Sequence, residues 1–265
     1  MTSADAAPLR LEISEGIATL TLTQGARGNP IDGPFCHAFL QTALQLWNEP
    51  GLRVVHLRAE GTNFSFGGDI KSFTANLDRL GACVREWTAD LHMGLSRFWQ
   101  LPVPIVAEVH GWAMGGSVAL IAGCDVVIAS ESSRLGSAFA QLGFSCDTGS
   151  TVTLGARMGV ARARRFVLLA EVLSSAQAEQ AGLVDQVVPD ADLAKAASAM
   201  ALRLGSGPTL AYGEIKRLFL RSQQQPLEAQ LEDEALTLAR MASTRDGREG
   251  ISAMAEKRKP HFTGQ

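Results

Sequence analysis

The chain has 265 residues, 46% of them apolar and 19% charged, which suits one large globular domain or a domain with a small appendage. Its formal net charge of −3 gives nucleic-acid binding no electrostatic support. Four dispersed cysteines, Cys36, Cys83, Cys124 and Cys146, form no CxxC pair and meet no histidine at metal spacing, so they read as reduced thiols of a cytoplasmic protein, and no metal is expected.

The N-terminal Met1-Thr2-Ser3-Ala4-Asp5 is polar and lacks the layout of a signal peptide. No apolar run approaches the ~18–20 residues of a membrane helix, so no membrane partner is expected. Leu9 to Ile13 and Ile17 to Leu22 alternate on either side of Glu15-Gly16, a β-hairpin. A loop over Gln24 to Gly33 leads to a helix, Pro34 to Trp47, with Phe35, Phe39, Ala43 and Leu46 on one face. Leu52 to Leu57 is a strand that runs into a loop ending Phe66-Gly67-Gly68-Asp69-Ile70. Residues 72–100 read as helical, with Trp87, Leu91, Leu95 and Phe98 as the core stripe.

The central stretch carries the strongest signal. Ile105 to Val109 reads as a buried strand, Gly115-Gly116 as a turn, Val118 to Gly123 as a helix and Val126 to Ala129 as the next strand. Glycines at such a turn let the backbone approach a ligand and leave the first N–H groups of the helix facing outward, where they stabilise negative charge. Gly67-Gly68 repeats the arrangement after the previous strand, and two aimed donors make an oxyanion hole. A third glycine-bearing loop, Gly143 to Gly149, precedes a helix at about 150–158; its Asp147 reads either as a helix N-cap or as a catalytic carboxylate. A helix over Ala161 to Leu169 and a capping box at Ser174 and Gln177 follow, then a strand over Val184 to Val188. From Asp190 onward the pattern is helical: about 191–205, 208–222, 227–243 and 246–257. The reading is therefore α/β, with a core over 1–190 and a helical section over 191–265. Glu108, in an apolar strand, reads as facing a polar neighbour or a helix end, with a displaced catalytic acid as the lesser alternative.

Four stretches together resemble the crotonase (enoyl-CoA hydratase/isomerase) superfamily: Asn63 to Ile70; His110 to Gly116 with Cys124-Asp125; Ala176 to Asp185; and Glu249-Gly250 followed by Glu256 to Phe262. The resemblance implies a crotonase-like ββα spiral core and a helical C-terminal section that forms a homotrimer or a dimer of trimers. It implies an acyl-CoA substrate and no separate cofactor, coenzyme A arriving as part of that substrate. It implies oxyanion-hole N–H groups from Gly68 and Gly116, with Asp69 and Ile70 of the first motif as substrate contacts. Phe66, Trp87, Phe139 and Phe144 read either as the lining of a pocket for a bulky acyl group or equally as core, and Phe66, Phe139 and Phe144 are taken as substrate contacts. Lys257 and Phe262 are implied to reach the CoA of a neighbouring subunit.

The departures from the family pattern narrow the chemistry. Hydratases of this family carry two water-activating glutamates, where this chain has Ala119 and Phe139. Neither side chain moves a proton, so ordinary hydration is disfavoured. Asp147 falls where isomerase branches carry a catalytic acid and where chlorobenzoyl-CoA dehalogenases carry their nucleophile; His92 matches the histidine of the latter branch. Gly68, however, stands where that branch has an aromatic residue. Isomerase-type proton transfer by Asp147 is the leading expectation. Hydrolytic chemistry with Asp147 as nucleophile and His92 as base is the second, and a degenerate acyl-CoA-binding protein the third.

Overall fold

Alternating side chains set the first hairpin. In the computed structural model, which describes residues 7–265, β1 (Leu9–Ser14) and β2 (Ile17–Leu22) pair antiparallel, with Leu11 opposite Leu20. The polar Met1 to Asp5 lies outside the described residues. Within the predicted loop the chain makes a 3-10 turn and a two-residue strand, β3 (Pro30–Ile31). Asp32 then caps α1 (Gly33–Trp47) by accepting from the Phe35 N–H, and Pro34 sits in the first turn, where its missing N–H is no loss. α1 buries Phe35, Phe39, Ala43 and Leu46, the expected face.

From β2 onward one step recurs: a long strand, a short strand, then helix. β4 (Val54–Ala59), β5 (Gly67–Gly68) and the helices α2 (Ile70–Ala75) and α3 (Leu80–Trp99) make the second step. β6 (Ile105–Val109), β7 (Trp112–Met114) and α4 (Gly116–Ala122) make the third. β8 (Val126–Ser130), β9 (Arg134–Gly136) and α5 (Ser150–Met158) make the fourth. α6 (Val160–Leu168), β10 (Val172–Ser174), α7 (Ser175–Gln180) and β11 (Gln186–Val188) close the spiral. The reciprocal Ser174–Gln177 capping box is present at α7.

The long strands form a six-stranded sheet in the order β1-β2-β4-β6-β8-β11, parallel from β2 to β11. The short strands form a second layer, β3 beside β5 and β7 between Ser65 and β9. The sequence reading missed β7, β9 and β10, because three residues are too few for a period of two to register. It also joined α2 and α3, which a 3-10 turn separates.

Each face of the large sheet has its own cover. On one side Leu57, Ala107 and Val127 belong to the same buried cluster as Phe35, Phe39 and Phe98; the rings of Phe39 and Phe98 meet edge to face at 5.2 Å. On the other, Val54, Val106 and Ile128 are covered by Ala197 and Ala201 of α8 (Leu193–Gly205). Side chains alternate along a strand, so His56 and Glu108 share this second side. They bond to each other, Nε2 to Oε2 at 2.9 Å, so Glu108 does face a polar neighbour. Asp125 and Asp185 fasten strands: they accept from the main-chain N–H groups of Ile105 (2.8 Å) and Val127 (2.7 Å). Three further helices, α9 (Thr209–Ser222), α10 (Leu227–Ala242) and α11 (Arg245–Ala255), complete the chain. Among the described residues no helix is long and apolar enough to cross a membrane.

Candidate active site

The two glycine corners meet because buried hydroxyls tie them together. Gly67 donates its N–H to Ser65 Oγ at 3.0 Å, and Ser65 Oγ donates to the Asn29 carbonyl at 2.7 Å. Ser117, fully buried in α4, reaches back from the other corner; its hydroxyl lies 3.1 Å from the Ser65 carbonyl and 2.8 Å from that of Met114. The turn between β7 and α4 needs glycine twice. Gly115 adopts φ +56°, ψ −125°, a region closed to other residues. Gly116 opens α4 so closely against Thr148 that an added Cβ would stand 2.5 Å from the Thr148 hydroxyl oxygen. As the first residue of a helix, Gly116 has an N–H without an acceptor inside that helix.

Gly68 and Gly116 both line a cavity of about 840 Å3. Asp147 lines it too, together with Phe66, Ile70, Trp87, Phe139 and Phe144. So does Phe73, missed in the sequence although its three-residue spacing from Ile70 placed both on one helix face; its ring stacks on Trp87 at 6.2 Å and lies 5.8 Å from Phe144. Cys36, Met114 and Cys146 add sulfur to the wall. Burial pushes the Cys36 thiol up to about 12, helped by the negative charges of Asp32, Asp147 and Asp90, so it stays neutral.

Asp147 does not cap the helix that follows it. The N-cap of α5 is Gly149, and no side chain caps there. Only the Asp147 main-chain carbonyl serves the helix start, accepting from the Ser150 N–H at 3.0 Å. The carboxylate instead bonds to His92, Oδ1 to Nε2 at 2.6 Å. His92 itself is half exposed on α3 and borders a separate groove beside α5 and α9. The dyad thus stands between two depressions, with the carboxylate in the wall of the 840 Å3 cavity. Thr148, next in the chain, holds φ +57°; for a β-branched residue this is a genuine outlier, worth roughly 1–3 kcal/mol of strain.

Other expected residues lie elsewhere. Asp69 does not line the cavity but caps α2, accepting from the Lys71 N–H at 3.2 Å and the Ser72 hydroxyl at 2.6 Å, with Arg27 at 3.0 Å. Burial works against its ionisation, yet Ser72, the Lys71 N–H and Arg27 together hold its carboxyl below the usual range. Lys257 is exposed beyond α11, and Phe262 lies against Gly250; neither borders the cavity of its own chain. Ala119 is fully buried and outside the cavity wall, whereas Phe139 forms part of it. Among the described residues no three His, Cys, Asp or Glu side chains converge as metal ligands would.

Comparison with known proteins agrees with this architecture. A family profile described as "Enoyl-CoA hydratase/isomerase" matches residues 12–265. A Rhodobacter capsulatus protein named "Probable enoyl-CoA hydratase" is 34% identical over 257 residues, covering 97% of this chain and 98% of its own. The 1,2-epoxyphenylacetyl-CoA isomerase of Escherichia coli is 34% identical over 262 residues, covering 96% and 97%. The crystal structure of enoyl-CoA hydratase from Mycobacterium smegmatis superposes with a TM-score of 0.89 at 28% identity, over 96% of this chain and 98% of that one.

Proposed function

This chain belongs to the enoyl-CoA hydratase/isomerase family of acyl-CoA enzymes, and from that premise we propose that it transfers a proton within the acyl group of a CoA thioester, with Asp147 as the base. The observation that carries the reading is the wall of the cavity: two glycine corners and a single carboxylate, with Phe139 and a buried Ala119 where hydration needs glutamates. Asp147 removes a proton from the carbon next to the thioester carbonyl. The electron pair passes to the carbonyl oxygen, where the Gly68 and Gly116 N–H groups hold the enolate, and the proton returns at another carbon. An aromatic-rich wall of Phe66, Phe73, Trp87, Phe139 and Phe144 suits a bulky acyl group.

The test is exchange. Asp147→Asn abolishes transfer of substrate protons to solvent while acyl-CoA binding persists; exchange that survives the substitution refutes the assignment. The 2.6 Å contact to His92 supports a second reading, in which Asp147 displaces a leaving group from a carbon of an aryl- or acyl-CoA to form an ester, and His92 activates water to attack that ester at the Asp147 carboxyl carbon. Single turnover in 18O-water separates the two, since only the second route labels the Asp147 side chain. Tight CoA-ester binding with no turnover across a panel of acyl groups favours a binding protein instead.

The same reading extends to assembly. Phe219, Leu238 and Met254 on α9, α10 and α11 stand 74%, 72% and 82% exposed, as suits helices that pack against other copies in a trimer or dimer of trimers. Lys257 and Phe262 would then reach a neighbour's CoA. A monomeric mass by sedimentation overturns this part. Four free thiols suit a reducing compartment such as the cytoplasm.

A further inference from the structure

One residue in the cavity wall combines two features. Thr148 is only 2% exposed, yet its hydroxyl, which bonds to no described residue, is not among the buried unpaired atoms and so opens to the cavity, and its backbone is left-handed at φ +57°. A hydroxyl that opens to a cavity can donate to what fills it, and a β-branched residue normally avoids positive φ. Glycine would relieve the backbone, and the next residue, Gly149, already is one at φ +70°. Neighbouring side chains in an extended stretch point to opposite sides. Two successive left-handed residues bend this stretch so that Asp147 and Thr148 line the same cavity. The bend also brings the Thr148 hydroxyl oxygen to where a side chain on Gly116 would begin.

We propose that the Thr148 hydroxyl is a third hydrogen-bond donor to the thioester oxygen of the bound acyl-CoA, beside the Gly116 N–H. The inference rests on the reading of Gly116 as an oxyanion corner. The partner assigned to this hydroxyl is the substrate itself: the hydroxyl donates to the carbonyl oxygen once the thioester is bound. Its bond strengthens as that oxygen gains negative charge, so it acts on the transition state more than on binding. The strained backbone is what aims the hydroxyl at the turn, and it gives the substrate a donor that needs no reorganisation.

The test uses two readouts. The first is steady-state kinetics with the substrate that the wild-type protein turns over. The second needs no turnover: the carbonyl stretch of bound 3-phenylpropenoyl-CoA, 13C-labelled at the thioester carbon. Thr148→Val keeps the shape and removes the donor; kcat falls about 100-fold with KM little changed, and the carbonyl stretch moves to higher frequency. Thr148→Ser restores both. Thr148→Gly matches the valine variant in kcat and melts at a higher temperature than the wild type. An unchanged carbonyl frequency in Thr148→Val overturns the proposal, whether kcat falls or not, because a purely positioning role would leave that bond order alone. Should the valine variant fail to fold, Thr148→Ala carries the same predictions. Failure of Asp147 as the base would appear in proton exchange and leave the carbonyl shift intact, so the two ideas fail separately.

Discussion

The spiral core and the terminal helices solve burial in opposite ways. The core has a sealed aromatic interior: Phe35, Phe39, Phe64, Phe98 and Phe166 are at most 2% exposed. In α9 to α11 large apolar residues such as Phe219, Leu238 and Met254 face outward. Lys216 ties α9 to the core, donating to Asp125 at 2.7 Å and to the Val103 carbonyl at 3.2 Å. Within the terminal section itself, Arg217 forks onto both oxygens of Asp233 at 2.8 Å, and Arg258 pairs with Glu249 at 2.6 Å. The difference teaches where rigidity is needed. The two glycine corners grow out of the part with a complete core, and the part with an incomplete surface contributes nothing to the cavity wall.

The contrast can be broken in four places, of decreasing effect. Phe98→Ala removes a ring from the sealed core and should cost about 3–5 kcal/mol in urea unfolding; a loss under 1 kcal/mol would mean that the core is looser than described. Ser117→Ala cuts the tie between the corners. It should cost about 1 kcal/mol of stability but lower kcat by about tenfold, because misplaced oxyanion donors act on the transition state. Phe219→Ala, at 74% exposure, should change the unfolding free energy of a single chain by no more than ~0.5 kcal/mol. Its effect belongs in the assembly state, read by sedimentation. The smallest effect is electrostatic. The Arg258 guanidinium and then the His261 N–H, against a smaller opposing effect of burial, lower the Glu249 carboxyl from 4.5 to about 2. A depressed value stabilises the fold above the unfolded pKa and loses that contribution as pH falls from about 4.5 toward 2. The stability gap between wild type and Glu249→Gln should therefore close over that window and stay constant above pH 6.

Long elements were legible in the sequence because each carries a full period of its pattern. The α1 stripe at Phe35, Phe39, Ala43 and Leu46 and the alternation of β1 and β2 needed no tertiary information. The short strands needed it, since Trp112–Met114 is a strand only because Arg134–Gly136 lies beside it. At the cavity, Gly68, Gly116 and Asp147 were legible from glycine pairs after strands and from the family resemblance. The choice between an Asp147 helix cap and a free carboxylate was not, because it turns on Gly149 adopting φ +70° and taking the N-cap position. Thr148 was invisible for a related reason. Nothing in Asp-Thr-Gly announces a left-handed threonine, and only folding sets its hydroxyl over Gly116, thirty-two positions earlier in the chain.

The charge of the cavity wall has a consequence for selectivity. Its ionisable members are Asp147 and two thiols, and it includes no lysine, arginine or histidine. An acyl tail ending in its own carboxylate would meet the Asp147 carboxylate, whose imidazole partner His92 stands outside the wall, and no lysine or arginine to pair with. Uncharged tails escape that penalty, so the wall sorts acyl groups by ionic character before their length or shape is tried.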